Sequence, residues 1–218
     1  MWEEMSYPWQ VAFMEAWEAY CHGSIPIGAV LVNSNGEVVS RGRNRINENS
    51  APTNQICFNK LAHAEVNVLL QVNNRDTNLN TQYTLYTTTE PCIFCFGAIV
   101  MSGIRRVRYA AKDPIAGGAD LNKSSNKFIL SREIDIHCDR RFLGIVQRVI
   151  RTDYLLRYIS REKSEMLLER EGIYYPEAIE LGRAWFETNK LLKSKKEGKG
   201  INEIVDEIHK EIGNGIVS

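Results

Sequence analysis

No stretch of this 218-residue chain approaches the roughly 18 consecutive apolar residues that a membrane-spanning helix needs, so no membrane partner is expected. Trp2, Glu3 and Glu4 make the first residues acidic and aromatic, unlike the basic start of a secretory signal, and a cytoplasmic protein is expected. Cysteine is scarce: five residues leave an odd one after any pairing, which argues against a disulfide framework and suits a reducing compartment. An excess of either charge is also missing. With 27 Lys and Arg against 27 Asp and Glu, no overall positive field draws the chain to nucleic acid. Neither a long repeat nor a low-complexity tract occurs, which argues against solenoids. What is present is 44% hydrophobic residues, enough for one sizeable core and an extension.

Two short motifs carry the chemistry. His63-Ala64-Glu65 lies in an apolar periodicity running from Leu61 to Leu70, and Pro91-Cys92-Ile93-Phe94-Cys95 opens a second helix, with Pro91 suited to a helix entrance. Cys92 and Cys95 are three residues apart, so on a first helical turn both sulfurs face one side and reach one ion. His63 adds an imidazole from a separate helix. Three such ligands are one short of a structural zinc site and leave a fourth position for solvent, the pattern of a catalytic zinc. Two converging helix N-termini would stabilise the anionic cluster and lower the thiol pKa values. Glu65, without a ligand role, is then the proton carrier. The alternative is a structural clip in which Cys57 supplies a fourth ligand, although such a site has no use for Glu65. Cys21, Cys57 and Cys138, like His22, His137 and His209, have no partner pattern and read as buried or incidental groups.

The order H-x-E followed by P-C-x-x-C resembles the signature of the zinc-dependent cytidine and deoxycytidylate deaminase superfamily. The resemblance runs from Ile25 to about Cys138, through Pro26 to Val32, Gly42-Arg43-Asn44, Thr84-Leu85-Tyr86, Glu90-Pro91-Cys92 and Tyr109 to Asp113. It looks most like the branch containing tRNA adenosine deaminases and guanine deaminases. The resemblance implies Zn2+ held by His63, Cys92 and Cys95, with Glu65 protonating the ring nitrogen and the departing amine. It further implies a substrate contact at Asn44, backbone support near Ala64 and Cys92, Asp113 beside the pocket, and a homodimer. Two segments depart from the relatives. Asn47 to Leu61 is longer than their link into the histidine motif and reads either as a pocket-shaping segment or as a surface loop. Thr87-Thr88-Thr89 stands where tRNA-acting relatives carry a bulkier residue before the glutamate.

Periodicity places a helix before Cys21, with Val11, Met14 and Trp17 on one face. Ile25 to Asn33 is almost continuously apolar, and Asn35-Gly36 then marks a hairpin into Glu37-Val38-Val39. Gln82 to Thr88 and Arg105 to Ala110 read as strands that follow helices and therefore lie parallel, with a fifth strand near Ser131 to His137. The expected fold is α/β: a three-layer α/β/α sandwich with a mixed five-stranded sheet, cytidine deaminase-like by the resemblance, plus a C-terminal helical extension. The expected domains are 1–160 for the deaminase and 161–218 for the extension.

Asp139 to about Ser160 predicts a helix with Phe142, Val146, Val149 and Ile150 on one face and Arg140, Arg141, Arg148 and Arg151 opposite. That stripe reads either as a binder of RNA phosphates or as a solvated, internally paired face. In the extension, Ile179 to Leu192 predicts one helix, and Ile201, Ile204, Val205, Ile208 and Ile212 form an apolar stripe in another that requires a partner surface. The first functional expectation is zinc-dependent hydrolysis of an exocyclic amine on a small-molecule nucleobase, nucleoside or nucleotide. tRNA adenosine-to-inosine deamination and a catalytically inactive nucleotide- or protein-binding module are the alternatives.

Overall fold

The computed structural model describes residues 1–73 and 80–213. Its sheet runs β2-β1-β3-β4-β5, with β1 at Gly28–Val32, β2 at Val38–Arg43, β3 at Thr84–Thr89, β4 at Arg106–Ala111 and β5 at Asp135–Cys138. β1 pairs antiparallel with both β2 and β3, whereas β3–β4 and β4–β5 are parallel. This is the mixed five-stranded sheet that the strand pattern predicts. β1 begins at Gly28, not Ile25, because Pro26 has no N–H to offer a ladder. β5 lies a few residues later than the apolar run suggests.

Every residue of β1 is buried, and alternation sorts its side chains into two cores. Ala29 and Leu31 join Leu85 and Val107 beneath α2 at Ala64–Leu69 and α3 at Ile93–Ser102. Val30 and Val32 face the opposite core, built with α1 at Tyr7–Cys21 and, beyond the short α4 at Lys127–Leu130, α5 at Arg141–Tyr158. Helices thus cover both faces, giving the three-layer sandwich. In α1, Val11 and Trp17 are buried as expected, while Met14 is exposed.

The C-terminal helices are α6 at Arg161–Gly172, α7 at Pro176–Glu187, α8 at Lys190–Lys196 and α9 at Ile201–Gly213. They share one apolar cluster with α1 and α5, so the expected partner surface of the Ile201–Ile208 stripe is the second core of this same chain. The single helix expected over 179–192 is broken at Asn189, whose φ of 55° is left-handed and ends α7 before α8 starts. No helix among the described residues is long and apolar enough to cross a membrane.

On the arginine face of α5, Arg148 is buried and Arg151 nearly so, whereas Arg141 is exposed. Arg148 and Arg151 both pair with Glu171, at 3.3 and 2.8 Å, and Arg141 pairs with Glu177 at 2.7 Å. Three of the four positions proposed for RNA phosphates therefore have carboxylate partners in the extension, while Arg140 stays exposed. Period alone does not separate these outcomes, because the partners lie 20 to 36 residues away.

Candidate active site

Glu90 and Pro91 carry the chain from the end of β3 into α3, at the carboxyl edge of parallel strands where open α/β sheets bind ligands. His63 and Cys92 are both extended N-cap residues, at φ −79° and ψ 154° and at φ −66° and ψ 170°, so each side chain stands at a helix entrance. Cys95 follows on the first turn of α3. His63 Nδ1 lies 3.6 Å from Cys92 Sγ and 3.3 Å from Cys95 Sγ. The three donor atoms all fall within 4.8 Å of one another. Tetrahedral zinc bonded at about 2.3 Å to sulfur and about 2.0 Å to nitrogen separates such atoms by roughly 3.6 Å, so this donor set fits zinc. Among the described residues the cluster holds these three alone; Cys57 is not part of it.

The electrostatics favour an anionic cluster. Hydrogen bonds from Cys95 and His63 pull the Cys92 thiol down to about 4. Donation to Cys92, together with burial, pushes Cys95 up. The hydrogen bond to Cys92 raises His63 above its ordinary value. Metal coordination would replace these mutual contacts, since a thiolate ligand must give up its proton.

Glu65 is 4% exposed at the start of α2, and burial raises its carboxyl above the usual range. Thr87 Oγ donates to Glu65 Oε1 at 3.0 Å, while Cys95 Sγ lies 3.3 Å from Oε2. Thr87 is the residue that motif reading misses. The period-2 pattern of β3 already puts Thr87 and Thr89 on the α2–α3 side with Leu85, but only the packed sheet reveals what lies above. Thr88 faces the other way and accepts from Gly28 N at 3.2 Å. The Thr89 hydroxyl is buried with no hydrogen-bond partner, which leaves a polar atom at this end of the strand.

The segment 113–119 clasps the cysteine turn. Ile93 N donates to Ala116 O at 3.1 Å, and Gly118 N donates to Pro91 O at 2.8 Å. Glu90 ties both ends of the segment, accepting from Asp113 N at 3.0 Å and Ala119 N at 3.1 Å. Gly117 permits the closeness: a Cβ there would meet Asp113 O at 2.4 Å and Glu90 Oε1 at 2.6 Å. Replacing Gly117 with Ala should therefore loosen the clasp, read as faster zinc loss to a chelator at unchanged secondary structure.

The other expected substrate residues are placed as follows. Asn44 is 2% exposed just after β2, and the next residue, Arg45, donates its N–H to Ala62 O at 2.9 Å, joining this strand end to the His63 segment. Ala64 is fully buried as the first residue of α2. Asp113 uses Oδ1 to accept from Ile115 N and Ala116 N at 2.9 and 3.0 Å, stabilising its own loop. The 47–61 segment is ordered by long-range bonds. Asn67 holds Ile56 at both N and O, and Phe58 N donates to Arg45 O.

Fold and site together define a zinc-dependent hydrolytic deaminase. The chain belongs to the cytidine and deoxycytidylate deaminase family, whose zinc-binding region matches residues 3–111. It is 38% identical over 113 residues to the tRNA-specific adenosine deaminase of Aquifex aeolicus, covering 50% of this chain and 67% of the relative. It is also 34% identical over 99 residues to the cytosine deaminase of Candida albicans, covering 45% and 60%. A chain solved in studies of A-to-I editing by tRNA:A34 deaminases superimposes with a TM-score of 0.51 at 29% identity, covering 62% of this chain and 98% of that one. The activity is hydrolytic deamination of a nucleobase, nucleoside or nucleotide, with release of ammonia.

Proposed function

We propose that His63, Cys92 and Cys95 hold the zinc, that Glu65 is the catalytic proton carrier, and that the substrate is a small-molecule base, nucleoside or nucleotide. The observation that carries this reading is the convergence of three metal donors on one side of a buried carboxylate that the cluster does not consume. Zinc, when bound, is a Lewis acid that lowers the pKa of water to about 7 and so would supply a nucleophile at neutral pH. Glu65 would take one proton from the attacking water and deliver it to the ring nitrogen, then take the second from the added hydroxyl and deliver it to the amine, which leaves as ammonia as the carbonyl forms. Thr87 Oγ fixes which carboxylate oxygen faces the reaction. Asn44, the Ala64 amide and the Asp113 loop orient the substrate.

The small-molecule reading rests on Arg141, Arg148 and Arg151, which are paired with Glu171 and Glu177, and on a chain of zero formal net charge. The identity to tRNA-specific relatives favours deamination of tRNA adenosine as the second reading. Ammonia release from a panel of bases, nucleosides and nucleotides, run beside inosine formation in unmodified tRNA, separates them. Turnover of tRNA alone would overturn the first. The non-enzymatic alternative predicts no ammonia from any substrate.

Two further outcomes follow from the same site. Stripping the zinc with a chelator should abolish turnover, and stoichiometric Zn2+ should restore it. Thr87→Val removes a hydrogen bond to a charged group and should lower kcat about tenfold with zinc content unchanged. Phe58, Ile93 and Met101 are 75, 64 and 72% exposed on or near the helices of the site, apolar side chains that a homodimer would cover. Light scattering of the zinc-loaded chain should return twice the mass of 24.9 kDa.

A further inference from the structure

Lys112 joins the end of β4 to the 113–119 clasp, and its peptide is gripped on one side by Tyr175 of the C-terminal extension and on the other by Arg148 of α5. Lys112 N donates to the Tyr175 hydroxyl at 3.1 Å. Lys112 O accepts from Arg148 Nη2 at 2.5 Å, and Arg148 is in turn paired with Glu171 with both side chains fully buried. The Lys112 ammonium also stands over the Tyr174 ring, 4.9 Å from its centroid. Gly144 gives Tyr175 its seat, because a Cβ there would lie 2.5 Å from the ring and 2.7 Å from the hydroxyl.

We propose that the extension positions the metal-holding turn: Tyr175 and the Arg148–Glu171 pair hold the Lys112 peptide, which sets the 113–119 clasp around Cys92. The proposal rests on Cys92 being a zinc ligand. Arg148 meets Glu171 as a buried ion pair at 3.3 Å, and each link from residue 112 onward is a hydrogen bond. Tyr175 and Arg148 hold residue 112, Asp113 N reaches Glu90, and Ala116 O and Gly118 N close on the cysteine turn. A helical appendage that only buried apolar surface would need neither a buried ion pair nor a tyrosine hydroxyl aimed at a loop backbone. Tyr175 and Glu171 are thus positioning residues, and they touch no reacting atom.

The test uses the full zinc-loaded chain with Tyr175→Phe, which keeps the ring and removes the hydroxyl. Gly144→Ala displaces the ring by steric contact while every hydrogen-bonding group is retained. Ile204→Ala in α9 is the control, since it empties part of the same extension core without touching Lys112. Amide hydrogen exchange over residues 112–119 is measured beside the rate at which a chelator removes zinc. Loss of one hydrogen bond should speed exchange there about fivefold in Tyr175→Phe. Zinc loss should accelerate in step, Gly144→Ala should do the same, and Ile204→Ala should leave both close to wild type. Wild-type exchange and zinc release in Tyr175→Phe would overturn the proposal, as would an equal response in Ile204→Ala. If the unsubstituted chain bound no zinc, the metal reading would fail by itself, while the exchange data would still decide whether the extension holds the clasp.

Discussion

Glu65→Gln is expected to lower turnover by on the order of 100 to 10,000-fold while leaving zinc bound, the range typical of a lost general acid and base. Gln has nearly the same shape as Glu and can still accept from the Thr87 hydroxyl, so packing of this 4%-exposed position is conserved. What disappears is the proton acceptor. His63, Cys92 and Cys95 are untouched, and metal content measured by atomic spectroscopy should stay at one per chain. Steady-state ammonia release supplies the other half of the test. Wild-type turnover in the zinc-loaded variant would remove Glu65 from the mechanism, whereas loss of the metal would recast it as part of the cluster.

Glu171→Gln is expected to cost about 3–5 kcal/mol of stability, the penalty of leaving a buried charge without its counter-ion. For a chain of this size that corresponds to a fall in Tm of about 6–20 °C. Glu171 answers two guanidinium groups at once, and the side chain of Arg148 is as fully buried as its own. The pair of Glu165 and Arg183 is the comparison, with side chains 46 and 38% exposed. Glu165→Gln should cost less than about 1 kcal/mol, because water screens that pair and solvates either partner left alone. Equal losses in the two variants, measured by denaturant unfolding, would show that burial adds nothing to the Arg148–Glu171 interaction.

The candidate site is legible in the sequence because its chemistry is local. His63 and Glu65 share one helix start, and Cys92 and Cys95 share another, so spacing within two short segments specifies most of the donor set. The strands were legible for a related reason: alternation and the Asn35-Gly36 turn are short-range signals, and parallel pairing of β3 with β4 follows from the helix between them. The contacts of Thr87, Glu90 and Gly117 are not legible in the sequence. Each acts on an atom that the sheet or the clasp brings close from a distant part of the chain, 22 residues away for Thr87 and Glu65. The arginines of α5 show the same limit from the other direction. Their spacing describes a face, and nothing in that spacing names Glu171 or Glu177 as what the face meets.

From residue order alone come the proposed zinc donors, the carboxylate beside them, the strand count and the family, since all of them are written in contacts a few residues long or in a motif. Tertiary structure alone decides that the Ile201–Ile208 stripe packs into the second core, that Arg148 is buried against Glu171, and that Tyr175 reaches the Lys112 peptide. These pairings join segments that share no local period. They form only when two layers of helices close on the sheet and exclude the water that would otherwise compete for each charge and hydroxyl.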